Sequence, residues 1–245
     1  MWSGSDVMEN KLKRALVIGA SSGIGREMAL WLSRNGWMVA AVARREALLQ
    51  ELCSVNPERL LPHCFDINMS STVLDRMNDV TAAMGGLDLL VISAGIGFLN
   101  PELDISFERE TVKTNVESFS VIADWGYSYF KTRGCGQIAA ITSVGGLMAE
   151  ETAPAYSASK AYQINYLEAL AKRAKKERSG VIVTEIRPGS VNTAMMKGEG
   201  HFWIAQPDVV AELSCKAILK KKRLQYVLPR WRFIGFLLRI STLFS

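Results

Sequence analysis

With 245 residues, 49% of them apolar and 22% charged, the chain has the length and balance of one large α/β domain. The net charge of +5 is lopsided: positions 213–245 hold eight Lys/Arg and no Asp or Glu, so the remainder is net negative and offers no general nucleic-acid surface. Four scattered cysteines (Cys53, Cys64, Cys135, Cys215) and two histidines (His63, His201) give neither a disulfide framework nor a metal site, and fit a reducing, cytoplasmic setting.

In chain order, Met1 to Asp6 lacks the basic start and apolar core of a secretory signal, and residues 1–10 are expected to be a flexible start. Arg14 to Ile18 is a short apolar run that enters Gly19-Ala20-Ser21-Ser22-Gly23-Ile24-Gly25, and an amphipathic helix follows to about Asn35. The pattern then predicts a strand at Trp37–Ala43, a helix at Arg45–Cys53, a strand at Leu60–Phe65 and a helix at Ser70–Met84. Next come a strand at Leu87–Ile92, one long helix at Ser106–Arg133 and a strand at Gln137–Thr142. A helix at Pro154–Arg178, a strand at Val181–Ile186, a helix at Pro207–Lys221 and a strand at Leu224–Leu228 complete the order. Apolar strands alternating with amphipathic helices imply a parallel sheet covered on both faces: a single Rossmann-type, doubly wound domain over residues 11–229.

The glycine turn lies between the first strand and the first helix. There glycines permit a tight turn and close approach of backbone to a pyrophosphate, whose charge meets the helix N-terminus. The same residues spell Gly19-x-Ser21-x-Gly23, the pattern of a serine-hydrolase elbow with Ser21 as nucleophile and His63 or His201 as base. Against that reading, no strands precede the turn to build an oxyanion loop. After the second strand comes Ala43-Arg44-Arg45, where arginine suits the 2′-phosphate of NADP and an acidic residue would suit NAD. In the helix at 154–178, Tyr156 and Lys160 are four apart and share a face. A lysine ammonium there would draw the tyrosine pKa down from near ~10 toward a working range for proton transfer.

Taken together these features resemble the short-chain dehydrogenase/reductase family over nearly the whole chain. Gly19-x3-Gly23-x-Gly25 matches its cofactor turn and Asp66-Ile67 its adenine-side acid, while Ser93-Ala94-Gly95 stands where the family has Asn-Ala-Gly. Asn115 falls in the central helix, Ser143 follows the fifth strand, Tyr156-x3-Lys160 comes next, and Pro188-Gly189-Ser190-Val191-Asn192-Thr193 matches the family's Pro-Gly-x-Val-x-Thr. The resemblance implies strand order 3-2-1-4-5-6-7 and NADP(H)-dependent interconversion of a ketone and a secondary alcohol. It implies that Ser143 hydrogen-bonds the substrate oxygen and that Tyr156 transfers the proton. Lys160 would lower the tyrosine pKa, hold the nicotinamide ribose and reach the backbone near Asn115 through water. The cofactor-binding set it implies is Gly19, Ser21, Ser22, Gly23, Ile24, Gly25, Arg44, Arg45, Asp66, Ile67, Ala94, Gly95, Asn115, Tyr156, Lys160, Pro188, Gly189, Val191 and Thr193. A catalytically silent NADP(H) sensor is the alternative within the family.

The segments expected to meet substrate supply Phe98, Leu99, Leu147, Met148, Met195, Met196, Phe202 and Trp203, an apolar set that either walls a pocket for a hydrophobic, lipid- or steroid-like ketone or caps the core. Residues 230–245 read as an amphipathic segment with Arg232, Gly235, Arg239 and Thr242 on one narrow stripe. It is too short for the ~20 residues of a membrane span, and either lies on a membrane surface or packs against the domain or a second subunit of a homo-oligomeric dimer or tetramer.

Overall fold

The computed structural model describes residues 12–194, 203–233 and 235. Seven strands form one parallel sheet: β1 (Arg14–Ile18), β2 (Met38–Ala43), β3 (Leu60–Cys64), β4 (Leu89–Ile92), β5 (Gly136–Ile141), β6 (Val181–Arg187) and β7 (Leu224–Tyr226). Their order is β3-β2-β1-β4-β5-β6-β7, as the sequence leads one to expect. Leu16 of β1 lies opposite Ala40 of β2 on one side and Leu90 of β4 on the other.

The central strands are apolar at every position because both sheet faces are covered. Successive side chains point to opposite faces. Ala15, Val17, Val39 and Ala41 therefore enter one core, while Leu16, Ile18, Ala40 and Val42 enter the other. The first core is closed by helices α1 (Gly23–Arg34), α2 (Glu46–Ser54) and α7 (Pro207–Leu219). The second is closed by α3 (Val73–Ala83), α5 (Phe119–Arg133) and α6 (Pro154–Glu177). Full burial of a side chain such as Leu49 or Phe130 contributes about 1.5–3 kcal/mol each. Proline begins both α6 and α7, where its missing N–H costs nothing.

The long helix expected at Ser106–Arg133 is divided. Helix α4 (Ile105–Val112) gives way to a π-helical turn at Lys113–Ser118 before α5 continues. A π turn adds a residue to the helical circuit and is common at functional positions; here it carries Asn115. Gly126 stays within α5 because a Cβ there would lie 2.5 Å from the Leu90 side chain, so its absence lets helix and sheet approach. Several ends move by one to three residues: β2 begins at Met38, β3 ends at Cys64, α3 begins at Val73 and α7 ends at Leu219. The expected flexible start at residues 1–10, together with Met195, Met196, His201, Phe202, Arg239 and Thr242, lies outside the described residues. Among the described residues no helix is long and apolar enough to cross a membrane.

All seven strands run the same way, so Ile18, Ala43, Ile92, Ile141 and Arg187 end along one edge of the sheet. The strand order reverses between β1 and β4, opening a crevice there, as in other open α/β sheets.

Candidate active site

The glycine turn occupies this crevice. The Gly19 and Ala20 amides both donate to the Val42 carbonyl, at 2.9 and 3.0 Å, tying the turn back to β2. Gly19 has φ +90°, and a Cβ there would stand 2.6 Å from the Ala94 nitrogen. A Cβ at Gly25 would stand 2.3 Å from the Gly19 carbonyl oxygen and 3.0 Å from the Ser93 hydroxyl. Backbone alone fits at both positions, and Ser93 fills the corner where a larger asparagine stands in the resembling family. No side chain caps the amides that open α1 at Ser22-Gly23. A cradle of bare backbone ending in uncapped N–H groups suits a phosphate, so the residues present fit a nucleotide.

Charged side chains flank the cradle. Arg45 donates through Nη2 to the Ser21 and Ser22 hydroxyls, at 2.8 and 2.6 Å. The Arg44 guanidinium lies 3.8 Å from the Asp66 carboxylate and stays half exposed. Asp66 also accepts from the Asn68 amide, whose side chain reaches Thr114 in the π turn. Ser21 thus has an arginine for a neighbour rather than a histidine. His63 lies on edge strand β3, where it lines a cavity with Pro62, Arg76 and Asp79. The hydrolase arrangement is not assembled among the described residues.

On the other side of the crevice, β5 delivers Ser143 and the opening turns of α6 deliver Tyr156 and Lys160. The Ser143 oxygen accepts from the Gly145 amide at 3.0 Å, and its hydroxyl hydrogen-bonds the Tyr156 phenol. Gly97 packs on the tyrosine ring, since a Cβ there would come within 2.5 Å of it. Lys160 Nζ is buried, 5.9 Å from the centre of that ring, and donates to the Ile141 carbonyl at 3.1 Å. Asn115 is fully buried. Its side chain exchanges two hydrogen bonds with the Ile96 backbone, at 2.9 and 2.7 Å, and donates to Ser159 at 2.9 Å. The π turn thereby ties the loop after β4 to the helix bearing the tyrosine.

One expectation about Lys160 is corrected. Burial holds the Tyr156 phenol above its ordinary value, and the Ser143 hydrogen bond only partly offsets this. The nearby ammonium does not bring the phenol below that value, because burial is the larger effect. Burial also brings Lys160 down to about 8. Between the lysine and the backbone near Asn115 the structure places a side-chain bridge. Lys160 Nζ donates to Gln163 Oε1 at 2.9 Å, and Gln163 Nε2 donates to the Asn115 carbonyl at 2.9 Å.

Gln163 was not singled out by sequence reasoning, although it follows Lys160 by three positions on one helical face. A second omission is a buried ion pair on β6. Arg187 binds Glu185 in a fork, at 2.7 and 2.9 Å, and donates to the Tyr226 hydroxyl at 2.7 Å, while Thr142 donates to Glu185 at 2.8 Å. The two alternate residues share one face of β6. This network joins the residue before Ser143 to the residue before Pro188.

The Pro188–Thr193 segment reaches the same crevice. A Cβ at Gly23 would meet the Thr193 methyl at 3.3 Å, so the Pro188–Thr193 segment lies against the glycine turn. Val191 bridges to Ala205. A Cβ at Gly189 would fall within 1.9 Å of the Trp231 ring, and one at Gly235 would be 3.1 Å from Leu147. The start of the 230–245 segment is therefore packed on its own domain. Phe98 stacks on Phe107 with ring centres 4.7 Å apart, Trp203 meets Trp231 edge-on at 5.8 Å, and Leu99, Met148 and Trp203 are exposed.

Residues 13–202 match the model of the short chain dehydrogenase family. An uncharacterized oxidoreductase of Myxococcus xanthus is 34% identical over 197 residues, covering 76% of this chain and 75% of its own. An alcohol dehydrogenase from the archaeon Thermococcus sibiricus, complexed with 5-hydroxy-NADP, superimposes with TM-score 0.74 at 25% identity, covering 88% of this chain and 96% of its own. A short chain dehydrogenase/reductase from Burkholderia phymatum, in complex with NAD, superimposes with TM-score 0.82 at 18% identity, covering 91% and 92% of the two chains.

Proposed function

Because the chain belongs to the short-chain dehydrogenase/reductase family of oxidoreductases, we propose that it interconverts a hydrophobic ketone and its secondary alcohol with NADP(H). The observation that carries this reading is the Ser143–Tyr156 pair, hydrogen-bonded at the mouth of the nucleotide crevice with Lys160 one helical turn behind. Bound cofactor supplies or accepts the hydride. Ser143 donates a hydrogen bond to the substrate oxygen and aligns it. The Tyr156 phenol, held protonated by its burial, delivers its proton to a carbonyl oxygen as the hydride arrives at carbon. Lys160 faces the tyrosine and carries positive charge at neutral pH, stabilising the phenolate left behind.

The NADP preference rests on Arg44 and Arg45 standing beside the glycine turn, where a charge-assisted arginine–phosphate bond discriminates for the 2′-phosphate. One fold neighbour holds NAD and another 5-hydroxy-NADP, so the reading is drawn from this chain's own arginines. The hydrophobic substrate class rests on the apolar side chains Phe98, Leu99, Leu147, Met148 and Trp203 in the segments that follow β4, β5 and β6. The test follows NADPH and NADH absorbance over a homologous series of ketones. Turnover with NADPH should exceed that with NADH, and efficiency should rise about fourfold per added methylene until the pocket ends, from ~0.8 kcal/mol each. A flat chain-length profile removes the hydrophobic substrate, NADPH binding without turnover favours the sensor, and ester cleavage without nicotinamide restores the hydrolase.

A further inference from the structure

We propose that Gln163 is a positioning residue whose side-chain amide, bridging Lys160 Nζ to the Asn115 carbonyl, fixes the lysine ammonium and tunes how readily it keeps its charge. A lysine ammonium has three donors and no acceptor, and a backbone carbonyl only accepts. An amide between them satisfies both at once, accepting through Oε1 at 2.9 Å and donating through Nε2 at 2.9 Å. Gln163 is 1% exposed, so this bridge is shielded from water. Helical spacing makes it possible, because positions three apart lie side by side on α6. Unlike a water molecule, the amide is tethered to the same helix as the lysine, and it accepts and donates through different atoms. It therefore holds the ammonium without serving as a conduit for its proton.

The surroundings leave this amide as the main adjustable partner. From β5 the lysine meets the Ile141 carbonyl, from the loop after β4 it meets Gly95, and from its own helix it meets Tyr156 and Gln163. Tyr156 is the titratable group facing it among the described residues, and burial is what lowers the ammonium to about 8, without an opposing carboxylate. Removing the amide oxygen takes away an acceptor that binds the ammonium more strongly than the neutral amine, so the lysine should release its proton at lower pH. A carboxylate in the same place should have the opposite effect. If Gln163 merely filled the core, changing it would alter stability and leave the titration where it was.

The test has two arms, and only the kinetic one rests on the dehydrogenase reading. In the first, the lysine side chains of the full chain are labelled with 13C at Cε and titrated by NMR, with Lys160 identified by its loss in Lys160→Met. Gln163→Met, close in volume to the native side chain, should move the Lys160 midpoint down by about one pH unit, as expected for loss of one charge-assisted hydrogen bond. Gln163→Glu should move it up. In the second arm, the alkaline limb of kcat for NADPH-dependent ketone reduction should shift in the same two directions, with KM for ketone little changed. A Lys160 midpoint that stays in place in both folded variants overturns the proposal. Absence of any nicotinamide-dependent turnover by the unaltered chain would overturn the dehydrogenase reading, and the NMR arm would still decide the role of Gln163.

Discussion

On the β1–β2–β3 side of the crevice the backbone does the shaping, and on the β5–β6–β7 side buried polar side chains do. The nucleotide side is a turn in which Gly19 and Gly25 leave room for nothing but main chain, anchored by amides donating to Val42. The proton side is a web running from Thr142 through Glu185 and Arg187 to Tyr226, and from Lys160 through Gln163 to Asn115. The difference has a physical reason. A pyrophosphate is recognised by N–H groups that any sequence can offer once the turn is tight enough. A proton donor has to be held with its charge partners at fixed distances, which only particular side chains can do.

This contrast can be broken most forcefully at the ion pair. Arg187→Met should leave Glu185 buried with Thr142 as its remaining partner and destabilise the fold by about 3–5 kcal/mol in urea titration. Changing Glu185 to methionine as well should recover most of that loss, because a buried pair is costly chiefly when half of it is missing. A single variant that melts with the unaltered chain would mean the web contributes no order.

A smaller effect is expected from one methyl group on the nucleotide side. Gly19→Ala places a Cβ 2.6 Å from the Ala94 nitrogen at a φ of +90°. The strain should cost about 1–3 kcal/mol and weaken NADPH binding tenfold or more, measured by fluorescence titration. Unchanged affinity would show that the turn tolerates a side chain and that close backbone approach is not its role.

The smallest change concerns charge and not shape. Ala43→Asp combined with Arg44→Ser should swing the ratio of efficiencies with NADPH and NADH toward NADH by about tenfold or more, from loss of one arginine–phosphate bond and gain of a ribose acceptor. Arg45 is kept in this variant because it braces the Ser21 and Ser22 hydroxyls. An unaltered ratio would assign the preference to residues other than Arg44.

The same contrast explains what was legible in the sequence. The strands and the glycine turn could be read because apolar runs and glycine spacing are local signals, set by neighbours in the chain, whereas the strand order came from the family resemblance. Tyr156 and Lys160 could be read because they are four apart on one helix, and Ser143 because the family resemblance puts a serine after the fifth strand. The partners that hold them could not. Glu185 meets Thr142 across 43 positions, and Gln163 meets Asn115 across 48, so no window of sequence contains either contact. The π turn was hidden for a related reason, since residues 106–133 keep a helical composition throughout and the extra residue in the circuit leaves no local mark. The direction of the tyrosine shift was missed because spacing shows which charge is nearby but not how deeply the pair is buried. Here burial is the larger effect.

The central claim, that Tyr156 moves the proton in a nicotinamide-dependent carbonyl reduction, is tested most directly by Tyr156→Phe. The measurement pairs NADPH titration with turnover of a ketone that the unaltered chain reduces. Removing one hydroxyl should lower kcat by about 10²–10⁴-fold, the range of general acid catalysis, while NADPH affinity stays essentially unchanged because the crevice is built elsewhere. Turnover equal to that of the unaltered chain would contradict the account, and so would a loss of NADPH binding as large as the loss of rate.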